Sequence, residues 1–328
     1  MRQVSVIGLG HWGTALANHC ASKGLSVCGW SRELSVVESI NSQHRNSGYL
    51  SEVVLHESLV ATHSLEEALS AEFVVLALPA RVLPEVIPLL RMGEEQIVVS
   101  AIKGLEPKSA MTPLSFAAAH LPQKNPLSVL SGPSFAKDIV ARRPAGVVAA
   151  SADEGVARKV AELFTSDCLK VYISTDPLGV ELGGILKNVI ALAAGVCDGL
   201  QYGDSARAGL ITRGLAEMMR LAGAMGADIR TLSGLSGLGD LVMTSTVDLS
   251  RNRTVGLRLG RGEKLDHIVK TLGSVAEGVW TTPLAVKLAE KYEIDMPITL
   301  GVQKLLNGEA TPQEMAKMLL SRPPRREF

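Results

Sequence analysis

Several stretches of this 328-residue chain put glycines or polar groups where ordinary packing has little use for them. Gly8, Gly10 and Gly13 in SVIGLGHWGTALA (5–17) fit G-x-G-x-x-G at a turn from an apolar strand into a helix. In a dinucleotide site the first glycine makes the tight turn and the second admits a pyrophosphate to the backbone. The third lets helix and strand close up, and the helix-start amides face the anion. Glycines for strand–turn–helix packing alone would look the same. At the end of the second strand an NAD-selective site usually carries Asp or Glu, but this chain has Trp30-Ser31-Arg32. A guanidinium there suits a 2′-phosphate and stacks on adenine, so the expectation is NADP(H) in preference to NAD(H). Glu33, next in the chain, pulls the other way.

Three further stretches offer polar groups. SAIKGLE (100–106) ends an apolar strand in Lys103-Gly104, and ligands of open α/β sheets bind at the carboxyl ends of strands. SGPSFAKDI (131–139) ends another with Gly132, Ser134 and a helix start at Pro133. Both also read as ordinary caps. In VELGGILKNVIALAAGVCDG (180–199), Leu182, Ile185, Leu186, Val189, Ile190 and Ala193 form one apolar helix face. Gly183, Gly184, Lys187, Asn188 and Ala191 form its neighbour, small except for the two polar residues. A ligand or another backbone can approach such a face closely, and a lysine snorkelling past a helix–helix contact fits it as well. LSGLSGLGDLVMTSTVDLSRNRTVG (232–256) reads as a glycine loop leading into a helix with Asp240 and Thr244. Ser250, Arg251, Asn252 and Arg253 then precede another helix. Guanidinium fork, charge and amide donors together suit a small phosphate, and an N-cap serine beside solvated charges is the alternative.

The elements that must carry these groups are legible as a change of pattern. Apolar, β-branched runs predict strands at 3–8, 26–30, 73–78, 96–101, 127–132, 145–151 and 169–174. Several are apolar at every residue, as a parallel sheet covered on both faces requires. Beyond Pro177 the strand signal stops, and helical patterns follow at 180–198, 206–224, 252–260, 264–271, 278–291, 297–306 and 311–320. The expected class is α/β: a Rossmann-like doubly wound sheet domain (1–180) followed by an all-helical domain (181–328) for substrate and catalysis. Charge balances at 33 basic against 33 acidic residues, so no global field favours nucleic acid or a membrane surface. No uninterrupted apolar run reaches the roughly 18 residues of a spanning helix, so membrane insertion is not expected. Cys20, Cys28, Cys168 and Cys197 are scattered through apolar stretches, which predicts reduced core thiols and a cytoplasmic protein. His and Cys show no metal-ligand spacing.

GLGHWGTALA, SAIKGLE, SGPSFAKDI, LGGILKNVIALAAG, GLGDLVMTSTVDLSRNRTVG and EGVWTT occur in this order over almost the whole chain. In that it resembles the bacterial-type NAD(P)-dependent glycerol-3-phosphate dehydrogenase family. The resemblance implies a homodimer that transfers hydride between NAD(P)H and dihydroxyacetone phosphate, making sn-glycerol 3-phosphate for phospholipid biosynthesis. It implies Lys187 as proton donor or acceptor, with Lys103, Asn188, Asp240 and Thr244 around the reacting carbon. Gly132, Ser134, Ser250, Arg251 and Asn252 would hold the phosphorylated substrate together with Lys103, Lys187 and Asp240. Gly8, Gly10, His11, Trp12, Gly13, Arg32, Lys103, Ala136, Arg251, Val275 and Glu277 would line the cofactor. His11 stands where Asn or Ser is commoner in the family, and prolines usual after Tyr49-Leu50 are missing. A reductase of the 6-phosphogluconate or β-hydroxyacid dehydrogenase type would leave the 240–252 block unexplained. A non-catalytic NADPH sensor would leave Lys187-Asn188 without a task.

Overall fold

Strands that are apolar at every residue need cover on both faces, and their neighbours here supply it. The computed structural model describes residues 2–273, 276–324 and 326–327. Contacts divide the chain into two units, Met1–Glu181 and Leu182–Phe328. The first holds an eight-stranded sheet: β1 Arg2–Ile7, β2 Val27–Trp30, β3 Leu59–Thr62, β4 Ala71–Leu76, β5 Ile97–Ser100, β6 Leu127–Ser131, β7 Ala145–Ala150 and β8 Leu169–Ser174. Their order is β3-β2-β1-β4-β5-β6-β7-β8. Successive residues point to opposite faces. Val4 and Val6 of β1, Phe73 and Val75 of β4, and Ile97 and Val99 of β5 enter one buried cluster. Ile7, Val74, Leu76 and Val98 enter another.

Helices cover this sheet: α1 His11–Ser22, α2 Leu34–Gln43, α3 Leu65–Ala68, α4 Leu83–Val86, α5 Pro113–His120, α6 Ala136–Val140 and α7 Glu154–Phe164. Strand order reverses at β1, which pairs with β2 on one side and β4 on the other. That is the switch point where open α/β sheets take ligands. Two features differ from the expected pattern. The edge strand β3 is four residues long with Val60 exposed, too short and too polar around its ends to stand out as a run. β7 runs antiparallel to β6, although every other pair is parallel. An apolar run carries no signal of its direction.

The second unit is built from helices. α8 Pro177–Gly199 runs through the division, followed by α9 Asp204–Ala224, α10 Asp240–Thr246, α11 Arg251–Gly260, α12 Leu265–Leu272, α13 Glu277–Lys291, α14 Pro297–Leu306 and α15 Pro312–Leu320. Ahead of α10 lie a 3₁₀ turn, Ile229–Ser233, and a π turn, Leu235–Gly239. Asp176 caps α8, accepting from the Gly179 amide at 2.9 Å. By length and mean hydropathy (1.6) α8 is long and apolar enough to cross a bilayer, although Glu181, Lys187 and Asn188 interrupt its apolar run. Its apolar window is wholly buried within the protein, as in a core helix. Two remote carboxylates finish the amino ends of other helices. Glu181 accepts from the Leu114 amide of α5 at 2.9 Å, and Glu217 accepts from the Ile298 and Thr299 amides of α14 at 2.6 and 3.1 Å.

Candidate active site

The glycine turn between β1 and α1 divides its labour among three residues. Gly8 has φ +106°, a left-handed conformation that favours glycine, and its amide donates to the Trp30 carbonyl at 3.0 Å. A Cβ on Gly13 would meet the Gly8 carbonyl oxygen at 1.8 Å, so the helix could not close on the turn with any larger residue. Gly10 is different. It caps α1 with φ −72°, and a Cβ there would meet nothing within 4 Å. The open space lies at the amino end of a twelve-residue helix, where backbone amides and the helix dipole favour an anion. A dinucleotide pyrophosphate fits such a cradle. His11 and Trp12 begin the helix, and the Trp12 Nε1 is buried with no hydrogen-bond partner among the described residues. Arg32 and Glu33 follow β2 after the buried Ser31 and are exposed. Ala136 is the first residue of α6, partly buried against the core.

Two residues that sequence reasoning passed over support this turn. Asn46 is buried and donates from Nδ2 to the Leu9 carbonyl at 2.8 Å and to Thr14 Oγ1 at 2.7 Å. Tyr49 lies edge-on to His11, ring centroids 5.3 Å apart, and its hydroxyl donates to Glu33 Oε1 at 2.9 Å. Both belong to the loop after α2. An isolated Asn or Tyr in a loop carries no periodicity, so only the folded contacts single them out.

Farther along the same sheet, the residues after β5 and β6 meet. Lys103 Nζ donates to the Gly132 carbonyl at 3.0 Å, and Ser134 Oγ donates to the same oxygen at 3.1 Å. Gly132 has φ +146°, and a Cβ on it would lie 2.9 Å from the Val147 Cα.

In the second unit the lysine of α8 meets two residues of α10. Lys187 Nζ donates to Asp240 Oδ1 at 2.6 Å and to Thr244 Oγ1 at 2.7 Å, and Thr244 Oγ1 donates to Asp240 Oδ1 at 3.2 Å. The pair is buried, with side chains 8% and 0% exposed. An ammonium this far from water needs a carboxylate to hold its charge. Asp240 and Thr244 are four residues apart, one turn of helix, and so share a face.

The neighbouring asparagine is tied just as firmly. Asn252 of α11 donates from Nδ2 to Asn188 Oδ1 at 2.9 Å, while its own Oδ1 accepts from the Gly278 amide at 2.8 Å. Glycines make this possible. A Cβ on Gly256 would meet the Leu192 carbonyl oxygen at 2.0 Å, and one on Gly195 would meet the Arg253 carbonyl oxygen at 2.1 Å. α8 and α11 therefore cross backbone to backbone. A Cβ on Gly278 would lie 2.6 Å from the Asn188 carbonyl oxygen. The small face expected around Lys187 thus continues along α8, and what approaches it there is another backbone.

The polar run before α11 separates into distinct tasks. Ser250 is the N-cap, its hydroxyl accepting from the Arg253 amide at 3.2 Å. Arg253 pairs with Asp198 at 2.6 Å and Asp248 at 2.5 Å. Arg251 opens the ten-residue helix. Desolvation lowers its pKa and the Glu277 carboxylate opposes that shift, so it stays cationic. Val275 lies outside the described residues.

Two family models match the chain. The NAD-dependent glycerol-3-phosphate dehydrogenase N-terminus covers residues 3–157, and the corresponding C-terminus covers 176–317. A glycerol-3-phosphate dehydrogenase (NAD(P)+) from Geobacter sulfurreducens is 47% identical over 327 residues, 98% of this chain and 97% of the relative. One from Nitratidesulfovibrio vulgaris is 46% identical over 331 residues, 99% and 100% of the two chains. The crystal structure of glycerol-3-phosphate dehydrogenase from Coxiella burnetii superposes with a TM-score of 0.93 at 37% identity, covering 98% of this chain and 99% of that one.

Proposed function

This chain belongs to the NAD-dependent glycerol-3-phosphate dehydrogenase family, and from that premise we propose how its residues divide the work. It is an oxidoreductase that interconverts dihydroxyacetone phosphate and glycerol 3-phosphate with NAD(P). The observation that carries our mechanism is the buried Lys187–Asp240–Thr244 cluster.

Gly8, Gly10, His11, Trp12, Gly13, Arg32 and Ala136 hold the cofactor, whose reduced nicotinamide supplies the hydride when bound. Reduction leaves negative charge growing on the ketone oxygen. The Lys187 ammonium donates a hydrogen bond to that oxygen and then its proton. Asp240 keeps the lysine charged before the transfer, and Thr244 fixes the direction of its donors. Exclusion of water strengthens each of these interactions. In the opposite direction Lys187 must be neutral to take the hydroxyl proton, so oxidation of glycerol 3-phosphate accelerates toward alkaline pH.

Arg251 and the first amides of α11 take the substrate phosphate, with Ser250 shaping the turn and Asn252 holding Asn188 in place. Lys103, with Gly132 and Ser134, forms an anion-facing group in the first unit. Arg32 favours the 2′-phosphate of NADP(H). The same reading assigns the enzyme to the cytoplasm, to a homodimer and to the supply of glycerol 3-phosphate for phospholipid biosynthesis. Four buried free cysteines support a reducing compartment.

The test is loss of NADPH absorbance with dihydroxyacetone phosphate, against unphosphorylated dihydroxyacetone. Turnover confined to the phosphate ester is expected. Equal rates on both would remove the phosphate site, and no turnover despite cofactor binding would remove the mechanism.

A further inference from the structure

Arg32 and Glu33 put opposite charges side by side at the end of β2, and only one of them is held by a neighbour through a described hydrogen bond. Glu33 is the N-cap of α2, in extended conformation, with its own amide donating to Ser31 Oγ at 3.1 Å. Its Oε1 accepts from the Tyr49 hydroxyl at 2.9 Å. Tyr49 in turn packs edge-on against His11, the first residue of the helix that opens at the glycine turn. The loop bearing Tyr49 is fastened to that turn by Asn46, through the Leu9 carbonyl and Thr14. An exposed glutamate ordinarily samples many rotamers. This one has its carboxylate tied, through two aromatic side chains, to the place where phosphate is expected. Burial raises the pKa of the Tyr49 hydroxyl, Glu33 adds to the rise and Arg32 opposes it.

We propose that Glu33, positioned by Tyr49, is a specificity-determining residue that accepts from the 2′-hydroxyl of the adenosine ribose and repels a 2′-phosphate. Arg32 does the opposite. The chain thereby holds both cofactors within reach, with Glu33 as the counterweight that keeps NAD(H) usable. Tyr49 is a positioning residue: it restricts the carboxylate without touching the cofactor. The inference rests on the dinucleotide reading of the glycine turn.

The test is equilibrium binding of NADPH and NADH to the full chain, followed by cofactor fluorescence, for wild type, Glu33→Gln and Tyr49→Phe. Removing the charge should tighten NADPH and loosen NADH, moving the ratio of the two Kd values roughly tenfold toward NADPH, the change worth about one pKa unit of electrostatic free energy. Tyr49→Phe should move it the same way by about threefold, because an untethered carboxylate spends part of its time turned to solvent. The ratio of kcat/KM values should follow. An unchanged ratio in both variants overturns the proposal while leaving the dinucleotide site standing. A shift in Glu33→Gln alone overturns the role of Tyr49. Failure of the wild-type chain to bind either nucleotide overturns the dinucleotide reading itself.

Discussion

Substituting Gly256 by alanine tests whether the crossing of α8 and α11 is what aligns the asparagines. A Cβ there would lie 2.0 Å from the Leu192 carbonyl oxygen and 3.0 Å from the Val196 amide nitrogen, and contacts under 3.0 Å essentially never occur. The difference of 3.0 and 2.0 Å means the backbones must separate by 1.0 Å at the least. No side chain can yield instead, because both clashing groups are main chain. Asn252 precedes Gly256 by one helical turn and faces the same way. Its 2.9 Å bond to Asn188 stretches to about 3.9 Å, beyond hydrogen-bond range. Overpacking costs about 1–3 kcal/mol and the lost buried bond about 1 more, together about 2–4 kcal/mol. Thermal unfolding should then move down by about 5–10 °C. The Michaelis constant for dihydroxyacetone phosphate should rise tenfold or more, with the Kd for NADPH within twofold of wild type. A variant with the wild-type Tm and Michaelis constant would refute this account of the crossing.

Other substitutions separate the roles of the glycine turn from that of Lys187. Gly10→Ala meets no atom within 4 Å and needs no unusual backbone, so stability should change by less than about 1 kcal/mol while NADPH affinity falls sharply. Gly13→Ala, against the Gly8 carbonyl at 1.8 Å, should instead lower stability by about 3 kcal/mol in denaturant titration. Equal behaviour of these two variants would contradict the division of labour at the turn. Lys187→Met should reduce turnover at least about a thousandfold with NADPH affinity intact, and should also destabilise the fold by stranding Asp240. Adding Asp240→Asn should recover the stability and not the turnover; recovery of both would remove Lys187 from the chemistry.

Burial raises Glu181 to about 7, against the opposing hydrogen bonds from Thr112 and the Leu114 amide. The folded state therefore binds a proton that the unfolded state releases near pH 4.5, and stability falls as pH rises from there through about 7. The interval corresponds to about 3 kcal/mol. Glu181→Gln should lack this loss, so its advantage over wild type should grow between pH 5 and pH 8; a constant difference would count against it.

The sheet was readable because burial on both faces demands unbroken apolar runs, and β4 and β5 have them over 73–76 and 97–99. β3 escaped notice because an edge strand with Val60 in solvent needs no such run. The reversal of β7 depends on its connection to β6, not on its residues. Helices of the second unit announced themselves by periodicity, yet periodicity says nothing about which faces meet. Lys187 and Asp240 are 53 positions apart on different helices. Family resemblance could group them, whereas spacing could not. The tasks of Asn252 and Arg253 illustrate the same limit. Adjacent in sequence and alike in polarity, they turn to different partners, Asn188 and Asp198, because successive helix residues point about 100° apart.

The π turn at Leu235–Gly239 stores information of another kind. It holds one more residue per turn than the helix that follows, and the Gly239 amide reaches back five positions to the Gly234 carbonyl. Deleting a single residue from it would restore ordinary winding and rotate everything downstream by about 100° relative to what precedes. Asp240 and Thr244 would keep their mutual spacing and lose their aim. The direction of the acidic partner is thus encoded in how many residues the turn contains, a property exposed to insertion and deletion.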